Sequence, residues 1–135
     1  MKGDSGKRKA LINYRMKRAH ATLRVAQTLF KQGEDPASVV NRAYYAMFYA
    51  ALALLATIGQ QTSKHSGVIA LFDEHFIKPK ILPNDMGKFL HAAFDMRQTG
   101  DYEEEAEITK EQASQALKFA VQFIKFIEEK LSTQS

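Results

Sequence analysis

The sequence contains no cysteine, only three prolines and only seven glycines in 135 residues. The absence of cysteine excludes disulfide bonds, thiolate metal sites, iron–sulfur clusters and cysteine nucleophiles. It also fits the reducing cytoplasm, where we expect this protein to act. So few prolines and glycines indicate a small number of long secondary-structure elements. Hydrophobic residues make up 45% and charged residues 25%, which is ordinary for one folded domain and too apolar for a disordered chain.

The net charge of +4 is modest, but it is unevenly distributed along the chain. Residues 1–24 contain eight basic residues and one acid, a net charge of +7, whereas the other 111 residues have a net charge of −3. Such asymmetry favours an acidic partner such as RNA or a phosphate-bearing ligand. The alternative is a solvated helix start behind a flexible basic tail. We assign residues 1–10 to that tail and residues 11–132 to a single domain.

No segment has the pattern of a secretory signal or of a membrane span. Residues 1–6 are polar, and no apolar stretch follows the first positive charges. The longest uncharged apolar run, residues 43–58, has sixteen residues and contains three tyrosines. A membrane-spanning helix needs about 20 residues. We therefore expect no membrane association and interpret the run as a buried core helix.

Apolar residues recur at intervals of three and four along the sequence, which predicts five amphipathic helices joined by short links. The second helix is apolar on nearly every face, so we expect it at the centre. An acidic stretch, residues 101–107, reads as an exposed loop. The pattern predicts an all-α, up-and-down helical bundle of four to five helices. The signals that bound these helices are Gly33, an Asp35-Pro36 start, Gly59, a Thr62 or Ser63 cap, Pro79, an Asn84 or Asp85 start, a break at Thr99-Gly100, and a capping box of Thr109 with Gln112.

The common catalytic and cofactor signatures do not occur in this sequence. There is no Gly-x-Ser-x-Gly nucleophile elbow and neither of the usual glycine-rich phosphate loops. The histidines have no spacing that suits a shared metal ion. We therefore expect no metal and no cofactor. The four histidines are His20, His65, His75 and His91.

Tyrosines crowd two turns of the predicted second helix. Tyr44, Tyr45 and Tyr49 lie close to Asn41 and Arg42 in the sequence. Tyrosines at helical spacing usually belong to a core or an interface, with the hydroxyl group bonded to a partner at the edge. A platform for stacking nucleic-acid bases would require exposed rings. The apolar surroundings favour the core interpretation.

An arginine stands near the end of the predicted fourth helix. The apolar stripe of that helix includes Arg97, so its guanidinium group either pairs with a carboxylate or faces a cleft. The planar fork of arginine suits phosphate and carboxylate groups. Asp101 and Tyr102 follow closely and could fold back beside it. An Arg97–Asp101 pair that clamps the loop is the structural alternative.

Three segments together resemble the HEPN domain, the helical "higher eukaryotes and prokaryotes nucleotide-binding" superfamily. They are residues 41–48 (NRAYYAMF), 64–68 (KHSGV) and 97–102 (RQTGDY). The resemblance covers residues 8–131 and is nearest to a small, stand-alone prokaryotic branch. It implies a bundle of four to five helices that forms a homodimer, with a polar site near the dimer cleft.

The resemblance also implies a range of functions. Many HEPN proteins are metal-independent ribonucleases, and many are toxins that a small nucleotidyltransferase neutralises. Their signature is an arginine followed four to six residues later by a histidine, often assisted by a polar residue of the second helix. By position, Arg97 matches the arginine and Asn41 the polar helper.

The sequence departs from that signature at the histidine. Tyr102 stands where the histidine would fall, and residues 101–107 contain none. RNA cleavage without a metal needs a base, an acid and positive charge on the phosphate. Histidine suits the proton steps, whereas tyrosine, with an ordinary pKa of about 10, is a poor base at neutral pH. The sequence therefore favours a binding role over efficient cleavage.

Three hypotheses follow from these residues. The leading one is a dimeric HEPN protein that acts with a separate minimal nucleotidyltransferase, in a toxin–antitoxin-like or nucleotide-handling pair that binds RNA or a nucleotide. In that pair, Tyr102 could accept AMP from the partner. The second is a ribonuclease in which Arg97 works with Tyr102, Asp101 or His65. The third is a structural module that recruits a protein through its tyrosine-rich helix.

Overall fold

The computed structural model describes residues 2–62, 64–102 and 107–133, with the backbone alone for residues 2–5 and 101–102. This part of the chain is an all-α bundle without β-strands, as the periodicity predicted. A single π-helical turn, Asp73–Ile77, follows the third helix. The five helices are α1 (Lys2–Lys31), α2 (Pro36–Ala56), α3 (His65–Phe72), α4 (Asn84–Tyr102) and α5 (Lys110–Thr133).

Helix α2 is the centre of the bundle. It packs against each of the other four helices, and thirteen of its 21 residues are buried. Its length and composition would allow it to cross a membrane, but 72% of its most apolar window is buried by the rest of the fold. Such burial is typical of a core helix. The central position predicted from its nearly uniform apolar surface is confirmed.

Two helices end at glycines, and one helix begins at a capping box, where the sequence predicted. Gly33 and Gly59 have φ angles of +71° and +70°, a left-handed conformation that glycine adopts without steric cost. They follow the ends of α1 and α2. Before α5, the backbone N–H of Thr109 donates to Gln112 Oε1 at 2.9 Å, and the N–H of Gln112 donates to Thr109 Oγ1 at 3.1 Å. This reciprocal pair confirms the capping box.

Three helix starts differ in detail from the prediction. Helix α1 begins at Lys2, so it includes residues 2–10, which we predicted as a basic tail. Helix α2 begins at Pro36 as predicted, but the Asp35 carboxylate makes no bond to a helix N–H group. It accepts a hydrogen bond from the Ser38 hydroxyl at 3.3 Å instead. The backbone before α3 places Lys64 at the cap position, and Ser63 lies outside the described residues.

The predicted break at Thr99-Gly100 is wrong, because α4 continues to Tyr102. Gly100 serves close packing there and does not end the helix. A Cβ atom at this position would lie 3.2 Å from Ala37 Cβ and 3.1 Å from Ile108 Cγ1. Glycine thus lets α4 approach both the start of α2 and the segment before α5. Of the predicted acidic loop, residues 103–106 lie outside the described residues.

Candidate functional site

The middle of α2 carries a group of rings that receives side chains from α3 and α4. Tyr44 is fully buried, Phe48 is 8% exposed, and Tyr45 and Tyr49 are half-buried. The Tyr44 and Tyr45 ring centres are 5.3 Å apart in an edge-to-face arrangement. The core interpretation is therefore right for Tyr44, whereas Tyr45 and Tyr49 reach the surface. The aromatic cluster consists of Tyr44, Tyr45, Phe48, Tyr49, His65 and Phe94.

His65 enters this cluster from the first turn of α3. Its Nδ1 lies 2.8 Å from the Tyr44 hydroxyl oxygen, and its ring stacks on Phe48 with centres 4.2 Å apart. Burial lowers the pKa of His65 below its ordinary value, and the nearby positive charge of Arg97 lowers it further. The imidazole is therefore neutral at pH 7. A neutral imidazole can accept a proton or donate a hydrogen bond.

Arg97 reaches the same rings from α4. Its Cζ lies 5.6 Å from the ring centre of Tyr44 and 5.5 Å from that of Tyr45. Its Nη2 group donates to the Tyr45 hydroxyl at 3.4 Å. The side chain is half-buried. Arg97 and His65, 32 positions apart in the sequence, thus meet the same pair of tyrosines; we call these four side chains the Arg97 centre.

Burial also fixes the protonation state of Tyr44. Burial raises its pKa well above the ordinary value, and this effect outweighs the opposing influence of Arg97. The hydroxyl therefore stays protonated at neutral pH and acts as a hydrogen-bonding group. Arginine cannot release its proton under these conditions. The Arg97 centre thus combines one permanent cation with one neutral imidazole.

Asn41 belongs to a neighbouring cleft and is joined to the centre through Arg42. Arg42 donates to Asn41 Oδ1 from Nε at 3.1 Å and from Nη2 at 2.7 Å. The Cζ atom of Arg42 lies 5.0 Å from the Tyr45 ring centre. The cleft has a volume of about 420 Å³ and is lined by Leu29, Asp35, Ala37, Ser38, Asn41, Arg42 and Gly100.

The predicted site residues are therefore only partly united. Arg97 and His65 meet at one pair of rings, and Asn41 stands beside them through Arg42. The side chains of Asp101 and Tyr102 lie outside the described residues, although their backbone forms the last turn of α4. In the described ranges, no three histidine, aspartate or glutamate side chains come together to hold a metal ion.

Sequence reasoning missed the part played by Arg42 and Tyr45. The signal that could have revealed it is their spacing, since residues i and i+3 of a helix are neighbours on its surface. Arg42 and Tyr45 have this spacing, and their contact adds a second cation to the ring that Arg97 touches. Two guanidinium groups on one half-buried ring favour an anionic ligand at this surface.

The chain is similar in sequence and in fold to known proteins. A UPF0332 protein of Thermotoga maritima is 41% identical over 118 residues, which cover 87% of this chain and 89% of that protein. "Putative toxin MJ0142" of Methanocaldococcus jannaschii is 36% identical over 102 residues, covering 76% and 69%. The structure of TT1696 from Thermus thermophilus superposes with a TM-score of 0.74 at 22% identity, over 88% of this chain and 97% of that one.

A family model gives the assignment. The solved structure supports the fold alone because its sequence identity is low, whereas the curated relatives match over most of their length. The model that describes the HEPN domain matches residues 12–130, nearly the whole bundle, and includes the segments from α2, α3 and α4 that form the Arg97 centre. The resemblance inferred from those segments is thus confirmed, and the chain is a member of the HEPN domain family.

Proposed function

We propose that this protein is the toxin-like component of a two-protein system and that its Arg97 centre binds the phosphate of an RNA or a nucleotide. The observation that carries the proposal is the meeting of Arg97 and His65, from different helices, on Tyr44 and Tyr45. The positive charge of residues 1–24 would favour the same ligands. Two relatives in Methanocaldococcus jannaschii carry the name "Putative toxin", which supports a toxin-like role.

The described groups favour binding over cleavage. Cleavage requires a base for the 2′-hydroxyl, an acid for the leaving oxygen and a positive charge for the phosphate. Arg97 supplies the charge, and neutral His65 could supply the base. Tyr44 is a poor acid because burial raises its pKa. The Arg97 centre thus has a cation that can bind a phosphate and a proton acceptor, but it lacks an acid for the leaving oxygen. We therefore favour phosphate binding over cleavage.

The proposed second protein is a minimal nucleotidyltransferase, and we further propose that the HEPN chain forms a homodimer. The support is the family resemblance, since many HEPN toxins are neutralised by such enzymes. In this scheme Tyr102 is a candidate acceptor of AMP. Its hydroxyl oxygen would bond to the α-phosphorus of ATP while pyrophosphate leaves and the hydroxyl proton is released.

A metal-independent endoribonuclease is the second candidate, and the position of His65 favours it. The 2′-oxygen would bond to phosphorus as His65 takes its proton, and the bond from phosphorus to the 5′-oxygen would break. A water molecule would give a proton to the departing 5′-oxygen, so the products would be a 2′,3′-cyclic phosphate and a 5′-hydroxyl. His65 acts as base only when Nδ1–H donates to Tyr44, because Nε2 is then the free acceptor.

The deciding experiment measures binding and cleavage of a mixed RNA pool in EDTA by the same protein samples. Arg97→Gln and His65→Asn are compared with wild type, and Lys88→Gln, on the exposed part of α4, is the charge-matched control. We expect binding that Arg97→Gln weakens and Lys88→Gln preserves, without cleavage. Cleavage lost in both centre variants would establish the ribonuclease instead. Equal binding by Arg97→Gln and wild type would refute the site.

The partner is tested separately by purifying the tagged protein from its native host. A nucleotidyltransferase that co-purifies in a fixed ratio is the expected result, and light scattering of the isolated chain should give the mass of a dimer. Mass spectrometry after incubation with that enzyme and ATP shows whether Tyr102 gains AMP. If the protein is recovered alone, the two-protein proposal fails, whereas an unmodified Tyr102 refutes only the transfer.

A further inference from the structure

Two neighbouring tyrosine rings, each with a guanidinium group over it, form a row that leads from the Arg97 centre to α1. Arg42 lies over Tyr45 at 5.0 Å, the Tyr45 and Tyr49 ring centres are 6.5 Å apart, and Arg18 of α1 lies over Tyr49 at 5.2 Å. Arg18 is exposed, and the other three side chains are half-buried. We call Arg42, Tyr45, Tyr49 and Arg18 the arginine–tyrosine row.

The two arginines of the row differ from two others on α1 whose role is structural. Arg15 donates to the Leu52 carbonyl at 3.0 Å, and Arg8 donates to the Thr57 carbonyl at 3.5 Å. Those bonds hold α1 against the second half of α2 and the residue that follows it. Arg18 and Arg42, by contrast, lie over rings. Arg42 also donates to the Asn41 amide oxygen. Among the described side chains, neither arginine has a carboxylate within salt-bridge distance, so no described carboxylate neutralises its positive charge.

We propose that the arginine–tyrosine row is a binding track for single-stranded RNA that continues to the Arg97 centre. Phosphates would contact Arg18 and Arg42, and bases would contact the exposed parts of Tyr45 and Tyr49. Single-stranded nucleic acids are bound by this combination of cations and aromatic rings. An acidic protein surface would require only the cations, so the two tyrosine rings favour RNA as the ligand. The inference rests on the proposed function, because Tyr45 belongs both to the row and to the Arg97 centre.

The track includes one of the eight basic residues in residues 1–24. Arg18 is the member of the row that belongs to this part of the chain. Arg24 lies six residues further along α1, which turns its side chain by about 240° from that of Arg18. Arg24 is exposed as well. A track on one face of α1 therefore depends on Arg18 but not on Arg24, whereas general attraction by net charge depends equally on both.

The test measures fluorescence anisotropy of a labelled oligouridylate of about twelve nucleotides with the full chain across a range of salt concentrations. We expect Arg18→Gln and Arg42→Gln to weaken binding about fivefold or more at low salt, and each to reduce the logarithmic salt slope by about 0.7. Arg24→Gln should bind like wild type. Tyr49→Leu should weaken binding about fivefold or more without changing the slope, and Tyr49→Phe should regain most of that loss.

The outcomes separate this inference from the proposed function. If Arg18→Gln and Tyr49→Leu behave like Arg24→Gln while Arg97→Gln weakens binding, the track is wrong and the Arg97 centre stands. If Arg18→Gln and Tyr49→Leu weaken binding while Arg97→Gln does not, the track stands and the centre is wrong. Absence of binding by wild type at low salt overturns the track. The track is also overturned if Arg18→Gln or Tyr49→Leu changes the mass measured by light scattering but leaves the RNA affinity unchanged. The row would then be a contact between protein chains.

Discussion

The Tyr44 hydroxyl oxygen lies 2.8 Å from Nδ1 of His65, which joins a fully buried tyrosine of α2 to the first residue of α3. This bond orients the imidazole that lies beside Arg97. The imidazole ring also stacks on Phe48 of α2, with ring centres 4.2 Å apart. The hydrogen bond and the stacking together hold the start of α3 against the central helix.

Replacing Tyr44 by phenylalanine tests that bond. The ring would stay buried, but His65 would lose its partner, so we expect the free energy of unfolding to fall by about 1 kcal/mol. Urea unfolding followed by circular dichroism measures the change. Tyr14→Phe is the control, because Tyr14 is 61% exposed. Equal stability of Tyr44→Phe and wild type would show that the bond contributes nothing.

The lowered pKa of His65 makes stability depend on pH in a known direction. The imidazole takes up a proton more readily in the unfolded chain than in the folded one, where burial and Arg97 oppose the charge. Stability should therefore fall as the pH drops below the ordinary value of 6.5 and be recovered above it.

His65→Asn removes this contribution and leaves the other histidines unchanged. Unfolding free energies of the two proteins, measured from about pH 8 to about pH 5, should diverge with wild type the more sensitive to acid. Subtracting the two curves cancels the contributions that both proteins share. Parallel curves would contradict the buried, neutral state assigned to His65.

Gly100 is a position whose close packing we expect to tolerate substitution poorly. A leucine there would force apart Ala37 and Ile108, which already lie within 3.2 Å of the position a Cβ would occupy. We expect a loss of about 1–3 kcal/mol in unfolding free energy. Gly6→Leu is the matched control, because a Cβ at Gly6 meets nothing within 4 Å. The account of α4 packing fails if both variants are as stable as wild type.

The capping box before α5 gives a prediction about the last helix. Thr109→Ala removes the hydroxyl that accepts from the Gln112 N–H group, and we expect a loss of about 1 kcal/mol. Thr28→Ala, at an exposed position within α1, is the control and should not destabilise the protein. Thermal unfolding should show a lower midpoint for the first variant only. A midpoint unchanged from wild type would mean that water replaces the cap.

Most of the fold could be predicted from the sequence because its signals are local. Periodic apolar residues gave the five helices, the uniformly apolar α2 was placed at the centre, and Gly33 and Gly59 marked two helix ends. The break at Gly100 could not be judged locally. Its glycine is required by side chains from α2 and from the segment before α5, and only the assembled bundle brings these together.

The site was harder to predict because its members come from three helices. Arg97 and His65 were chosen by motif, but no sequence rule shows that both reach Tyr44 and Tyr45. The tyrosines were assigned to a core or an interface; Tyr44 lies in the core, whereas Tyr45 and Tyr49 are half-buried and pack against it. Arg42 went unrecognised because its role depends on the exposure of the Tyr45 ring, which is a property of the packed structure.

The central claim is that the Arg97 centre binds phosphate, and nuclear magnetic resonance of the protein tests it most directly. A ¹⁵N-labelled sample is titrated with an oligouridylate of about twelve nucleotides, and the Nε–Hε signal of Arg97 is assigned by its loss in Arg97→Gln. The account predicts a saturable shift of this signal together with the ring signals of His65, and unchanged signals around Lys88. Saturable shifts elsewhere, with Arg97 and His65 unmoved, would contradict it.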